Sequence, residues 1–284
     1  MTFEFCEHAG LKNLHMTAEE KQAIAAPLNM ALKALVIPQL LHHSGLEPAD
    51  NALVLRQSEV LAKACLSSQL QEIEDCVLNM VRQGWGLETL FLQTIPNAAR
   101  LFHEWWAQDD IDFITVTQAS YRLQELVYSL SAEFVLSGPK RQRVDTFTAL
   151  LVNTPNSQHS LGLLILSQYF KRYGWTVLGT TTWREPDMVT TVQSCAVDLV
   201  GLSVSDERQF GYLKQLIVTL RKKSLNPDLA VMVGGPMLSK APHLAEWLGA
   251  DFACSHADQA QMAAAQQVER MRERLKNPSH YAVS

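Results

Sequence analysis

Phe147-Thr-Ala-Leu-Leu-Val-Asn-Thr-Pro-Asn-Ser-Gln-His-Ser-Leu-Gly162 decides the fold. Its first seven residues are a near-continuous apolar run too short for a helix. Such a run reads as a strand buried on both faces, the signature of a parallel sheet. A polar loop follows, and from Ser160 to Tyr173 apolar residues recur at helical spacing. The same strand–loop–helix unit then repeats. Strands are expected at Thr176–Gly179, Leu199–Val204, Ala230–Val233 and, as a short edge, Asp251–Cys254. Helices are expected at Met188–Cys195, through Tyr212 to Leu220, at Leu244–Leu248 and at Gln259–Leu275. Five strands alternating with helices describe an α/β fold, a doubly wound five-stranded parallel sheet of flavodoxin type.

Upstream the pattern is helical from about Ala18 to Phe134. Leu53, Leu55, Val60, Leu61 and Leu66 begin an apolar stripe, continued by Leu70, Ile73, Val77, Met80 and Val81 up to a break at Gly84-Trp85-Gly86. A second helix takes in Leu87, Leu90, Phe91 and Ile95, with Pro96 near its end. A third takes in Ala98, Leu101, Phe102, Trp105 and Trp106, and a fourth Val116 to Leu130. Short connections between them imply an all-α bundle. Ser137-Gly-Pro-Lys-Arg-Gln-Arg143 combines a helix stop with a basic cluster, so the boundary is placed there: a helical cap over 1–138 and the α/β domain over 139–284. Charge follows the same division. Residues 1–138 carry 8 Lys/Arg against 17 Asp/Glu, a balance of −9, and residues 139–284 carry 16 against 12, a balance of +4. Neither half has the dense basic face of direct nucleic-acid binding.

The five cysteines are scattered without a C-x-x-C pair, which argues against a disulfide framework or a structural zinc site. No apolar run approaches the ~20 residues of a membrane span, and the N-terminus lacks the basic and apolar segments of a signal peptide. A cytoplasmic protein is expected. Phosphate-loop, H-E-x-x-H and G-x-S-x-G motifs are missing.

In a doubly wound sheet, ligands bind beyond the carboxyl ends of the strands. There the chain places His159 just before a helix with Gly162 in its first turn, Ser203 and Ser205 after the third strand, and Gly234-Gly235 after the fourth. This ordered set resembles the D-x-H-x-x-G, S-x-L/S-x-S and G-G elements of the cobalamin-binding domain, over roughly residues 146–272. The resemblance implies that His159 is the lower axial ligand of cobalt, replacing the cofactor's own dimethylbenzimidazole. It implies that Gly162 permits a close helix start. Ser203 and Ser205 would then hydrogen-bond the displaced nucleotide tail, and Gly234 and Gly235 would leave room for it. Ser157 stands where the family has an acidic residue two before the histidine. A carboxylate there orients the imidazole and raises its basicity, whereas a serine hydroxyl supplies no charge, so His159 is expected to be a weaker ligand.

The helical half, from Leu101 to Gln124, is similar to the AerR/PpaA antirepressors of photosynthesis genes, which share a related module with AppA. That likeness implies a cobalamin (hydroxocobalamin or adenosylcobalamin), with haem as the alternative. Trp105 or Trp106 would lie over the upper face of the corrin, and the partner would be a transcription repressor of PpsR/CrtJ type. The implied role is a light- or redox-responsive regulator that does not itself bind DNA. Alternatives are a corrinoid carrier protein of a methyltransferase system and a cofactor-free interaction module.

Overall fold

The computed structural model describes residues 51–67, 70–139, 146–154, 160–179, 184–235, 237–238, 241, 243–254 and 256–276. The helix expected from Ala18, and both Ser157 and His159, lie outside them. The chain forms two compact units. The first reaches to Gly86 and resumes over Asn97–Leu130, and the second takes Leu87–Pro96 and everything from Ser131 onward.

The first unit is helical. Helix α1 runs over Asn51–Leu66 and α2 over Leu70–Arg82. The buried side of α1 is Val54, Ser58, Leu61, Ala62 and Cys65, at three- and four-residue spacing. Leu53, Leu55 and Val60, which were expected on the buried stripe, are exposed. The stripe through Val54 wins because Ser58 can join it, satisfying its hydroxyl within the helix by donating to the Val54 carbonyl at 2.8 Å. Helix α2 ends at Gly84, whose φ of +86° allows Trp85 N–H to reach back to Met80 O at 3.1 Å and Gly84 N–H to reach Val81 O at 2.9 Å.

The two helices expected on either side of Pro96 are one continuous helical run. A turn at Leu87–Thr89 opens into a π-helical turn, Leu90–Thr94, and continues as α3, Ile95–Ala107. The wider turn just ahead of Pro96 accommodates a residue that has no N–H to give. Helix α4, Phe113–Leu136, is longer than its apolar pattern suggested.

The second unit is built on strands β1 (Thr148–Asn153), β2 (Thr176–Leu178), β3 (Leu199–Ser203), β4 (Ala230–Gly234) and β5 (Phe252–Cys254). They form one parallel sheet in the order β2-β1-β3-β4-β5. This is the flavodoxin-type order, with its switch point between β1 and β3. Helices α5 (Ser160–Arg172), α6 (Glu185–Ser194), α7 (Phe210–Lys223), α8 (Leu244–Leu248) and α9 (Ala257–Lys276) make the crossovers and closing layer. Because successive strand residues point to opposite faces, the sheet has two cores. Leu150, Val152, Val200, Leu202, Val231 and Val233 pack on α6, α7 and α8. Ala149, Leu151, Leu199 and Met232 pack on Leu163 and Phe170 of α5 and on Ala260, Ala264 and Val268 of α9.

Carboxylates close the amino end of the sheet. Buried Asp198 accepts the Thr148 N–H and an Arg272 N–H, both at 2.8 Å. Asp251 accepts the Val231 N–H at 2.7 Å and an Arg221 N–H at 3.0 Å. On the outer side of α5, Arg172 donates to Ser137 Oγ at 2.7 Å and to the Phe134 carbonyl at 3.3 Å, and its guanidinium lies 4.7 Å from the Phe134 ring centre. Phe134 stacks on Phe91 with centroids 4.0 Å apart. These contacts tie Leu87–Pro96 and the end of α4 to the α/β unit.

Candidate functional site

The candidate site is the carboxyl edge of the sheet, and strand register assembles it. Asn153 pairs with Ser203, Ser203 with Gly234, and Gly234 with Cys254, so one residue from each of four strands stands in a row. Alternation sends the side chains of this row to the α5/α9 face, since Leu151, Met232 and Phe252 two residues earlier belong to that core. A carboxamide, a hydroxyl, a bare backbone and a thiol therefore follow one another across the edge. Ser203, Gly234 and Gly235 are brought together as expected from the sequence. Ser205 stands two residues beyond the strand and is half-buried.

Backbone hydrogen bonds carry the ladder one step past the strands. Thr154 N–H donates to Ser203 O at 3.1 Å and Val204 N–H to Gly234 O at 2.8 Å. The Thr154 hydroxyl lies 3.0 Å from the same Ser203 carbonyl and 2.6 Å from Gln209 Oε1. Gln209 ends a 3-10 turn, Glu207–Gln209, that Asp206 caps by accepting the Arg208 N–H at 2.9 Å. The hydrogen-bonded Arg208 guanidinium holds the exposed Asp206 carboxyl below the usual carboxylate range.

The three glycines differ in what they serve. A Cβ on Gly234 would stand 2.7 Å from the Cys254 carbonyl oxygen, and one on Gly235, where φ is +101°, would run into the Val204 backbone. The double glycine is therefore demanded first by the sheet's own packing. Gly162 sits in the first turn of α5 with no described atom within 4 Å of the position of its missing Cβ. A glycine there weakens the helix with no internal need for it, which leaves close approach from outside as its use.

Asn153 is a site residue that the motif pattern does not single out. It is 1% exposed, and its Oδ1 has no hydrogen-bond partner in the protein. A polar residue closing the run Leu150-Leu151-Val152 was a signal available in the sequence, and Thr154 gives the same signal. Cys254, the last of the row, is a free thiol whose pKa is raised by burial and then by the Asp258 carboxylate, so it stays protonated and is a poor ligand or nucleophile. Among the described residues no three His, Cys, Asp or Glu side chains converge as a metal site. None of their helices is long and apolar enough to cross a membrane. Trp105 and Trp106 belong to α3 in the first unit. Trp105 is half-buried and tilted against Phe102, and Trp106 is 44% exposed.

Tested against a cobalamin, the donor set fits. The edge offers a buried carboxamide oxygen lacking a donor, a serine hydroxyl beside it and an open helix start, all at the switch point where this fold takes ligands.

Comparison with known proteins agrees. Residues 147–265 match the family model of the B12 binding domain. The chain is 27% identical over 166 residues to an uncharacterized 20.5 kDa protein of the bchF-crtJ intergenic region of Rhodobacter capsulatus, covering 58% of this chain and 85% of that protein. The monomethylamine corrinoid protein of Methanosarcina barkeri shares the fold, with a TM-score of 0.62 at 13% identity, over 76% of this chain and 99% of its own. The resemblance drawn from the loop residues is borne out: the chain carries a B12 binding domain and is similar to proteins of the AerR/PpaA kind.

Proposed function

We propose that this chain, whose residues 147–265 match the B12 binding domain, binds a cobalamin and acts as a sensor that regulates transcription through a DNA-binding partner. The B12 binding match carries the cofactor assignment. The regulatory role draws on the relative from the bchF-crtJ intergenic region, a location beside the gene of a repressor of the expected PpsR/CrtJ type.

Bound cobalamin supplies a cobalt with two exchangeable axial positions, the upper of which can respond to light or redox state. Residues of this chain hold and orient it. His159 is assigned as the lower axial ligand, with Ser157 as acceptor for its second ring N–H. Ser203 and Ser205 offer hydroxyls to the nucleotide tail, and Gly162 allows it close approach. Trp105 and Trp106 are assigned to shielding the upper face. A change at the cobalt then biases a two-state element of the protein and with it the affinity for the repressor. The resting ligand is hydroxocobalamin or adenosylcobalamin.

The test mixes the purified protein separately with hydroxocobalamin, adenosylcobalamin and haem, removes free ligand by desalting and records absorbance. Retention of a cobalamin supports the reading, and retention of haem alone or of nothing refutes it. His159→Ala should alter the spectrum of the retained cobalamin, and an unchanged spectrum removes His159 as the ligand. Illumination should change partner binding. Methyl transfer to a separate acceptor enzyme, with no such change, would mark a corrinoid carrier instead.

A further inference from the structure

We propose that Asn153, Ser167 and Gln261 are specificity residues that read the nucleotide tail of the corrinoid, so that the protein selects a corrinoid with its tail over one without. The proposal rests on the cobalamin reading above and adds three residues to which that reading gives no role.

Each is almost wholly buried, at 1% exposure for Asn153, 0% for Ser167 and 3% for Gln261. In each, one polar atom has no hydrogen-bond partner in the protein: Asn153 Oδ1, Ser167 Oγ and Gln261 Nε2. Buried polar groups in folded proteins are nearly always paired, because an unmade hydrogen bond forfeits hydration with nothing in return. Ser167 makes the point sharply, since a helical serine can donate to the carbonyl four residues earlier. Ser58, Ser194, Thr190 and Thr191 all do so here, and Ser167 does not.

All three groups belong to one layer. Asn153 projects to the α5/α9 face of the sheet by alternation with Ala149 and Leu151. Ser167 lies between Leu163 and Phe170 on the side of α5 that packs on that face. Gln261 follows Ala260 and precedes Ala264 and Ala265, the α9 residues in the same core. They line it at different depths. Asn153 stands at the carboxyl edge, Gln261 about one turn into α9, and Ser167 about two turns into α5. A flat macrocycle is too broad to enter between a sheet and its helices, whereas a chain of phosphate, sugar and base is narrow. Its hydroxyls can donate to Asn153 Oδ1, and its ring nitrogens and phosphate oxygens can accept from Gln261 Nε2 and Ser167 Oγ. An architectural explanation fails on comparison with the amino end of the same sheet, where Asp198 and Asp251 accept bonds at every strand they support.

The experiment uses the full chain with two corrinoids, hydroxocobalamin and cobinamide, which share the corrin and differ in the tail. Variants are Asn153→Leu, Ser167→Ala and Gln261→Met. The wild type should bind hydroxocobalamin more tightly than cobinamide. Each variant should lose about tenfold in hydroxocobalamin affinity, near 1.4 kcal/mol, with cobinamide affinity unchanged. Each apoprotein should also melt a few degrees higher, because an unpaired buried polar atom has been removed. A wild type without preference, or variants that keep it, overturns the proposal and leaves the cobalamin reading standing. Variants with a lowered apo melting temperature assign the residues to architecture and also overturn it. A wild type that retains neither corrinoid refutes the cobalamin reading itself and the proposal with it. Ser167→Ala deletes a single atom, so it decides between the two roles even if Asn153→Leu fails to fold.

Discussion

Substituting alanine at Gly162 and at Gly235 should shift stability in opposite directions, although both glycines border the same candidate site. At Gly235 the added Cβ meets the nitrogen, carbonyl carbon and oxygen of Val204, all backbone atoms that cannot rotate aside, at a φ of +101° that side chains rarely adopt. The left-handed conformation costs about 1–2 kcal/mol, and a forced backbone shift adds roughly 1–3 kcal/mol by analogy with overpacked cores. Gly235→Ala should therefore lose about 2–5 kcal/mol, lowering the melting temperature by roughly 5–15 °C for a unit of this size. At Gly162 no described atom lies within 4 Å of the new Cβ and the backbone is helical. Alanine there should gain about 0.5–1 kcal/mol. Urea denaturation of the two apoproteins, followed by circular dichroism and by fluorescence of buried Trp175, measures both. Titration with hydroxocobalamin supplies the second half, in which the more stable Gly162→Ala should bind it more weakly because the methyl occupies the approach. Two variants with the same sign of stability change would refute the steric reasoning. A stabilised Gly162→Ala with undiminished affinity would remove Gly162 from the site.

Other perturbations test the scaffold. Asp198→Ala strips the Thr148 N–H and Arg272 of their buried acceptor. It should cost about 2–3 kcal/mol in urea unfolding, less than a fully buried pair because Arg272 is partly solvated. Arg172→Met keeps the stem of the side chain but loses its bonds to Ser137 and Phe134, so hydrogen exchange should accelerate over residues 131–138. Glu88→Gln should change little, since that pair with Arg172 is half exposed on the acid side. Burial pushes the thiols of Cys65 and Cys76 up from 9.0 to about 12. The folded state thus holds protons that the unfolded state releases, and stability is full below pH 9 and falls as pH rises from there toward 12. The slope should approach ~1.4 kcal/mol per pH unit for each thiol. Melting curves at pH 8.5 and 10.5 should show the loss, and a Cys65→Ala, Cys76→Ala double variant should not.

What the sequence showed and what it hid follow from the same physics. The strands were legible because a strand buried on both faces must be apolar at every position, and Ala149–Val152, Leu199–Leu202 and Ala230–Val233 are. Ser203 and Gly234-Gly235 were legible because they interrupt such runs. The buried stripe on α1 was hidden because apolar identity and spacing disagree there, and the true face includes Ser58, polar in isolation and neutral once its hydroxyl bonds to Val54. Continuity through Pro96 was hidden because proline's missing N–H is harmless beside a π turn, which the sequence does not announce. Asn153 looked like the polar end of a strand. Its importance is a property of its surroundings, namely that nothing in the protein donates to it, and only three-dimensional accounting reveals that.

Buried polarity has two uses in this one sheet. At the amino end each carboxylate accepts the N–H of a strand and an N–H of an arginine, so Asp198 and Asp251 are closed systems that hold Thr148 and Val231 in place. At the carboxyl end the backbone is equally closed, since Thr154 and Val204 extend the ladder, yet the Asn153 carboxamide beside them is open. Selection for stability alone would favour an apolar residue at Asn153, as at Leu151 two positions earlier on the same face. A fold that completes its hydrogen bonds at one end and leaves them incomplete at the other has a direction, and the incomplete end is where a ligand completes it. Stabilisation by that ligand should accordingly be larger than its contact with the rim alone would give. It should shrink toward the value for tail-free cobinamide when Asn153, Ser167 and Gln261 are made apolar together.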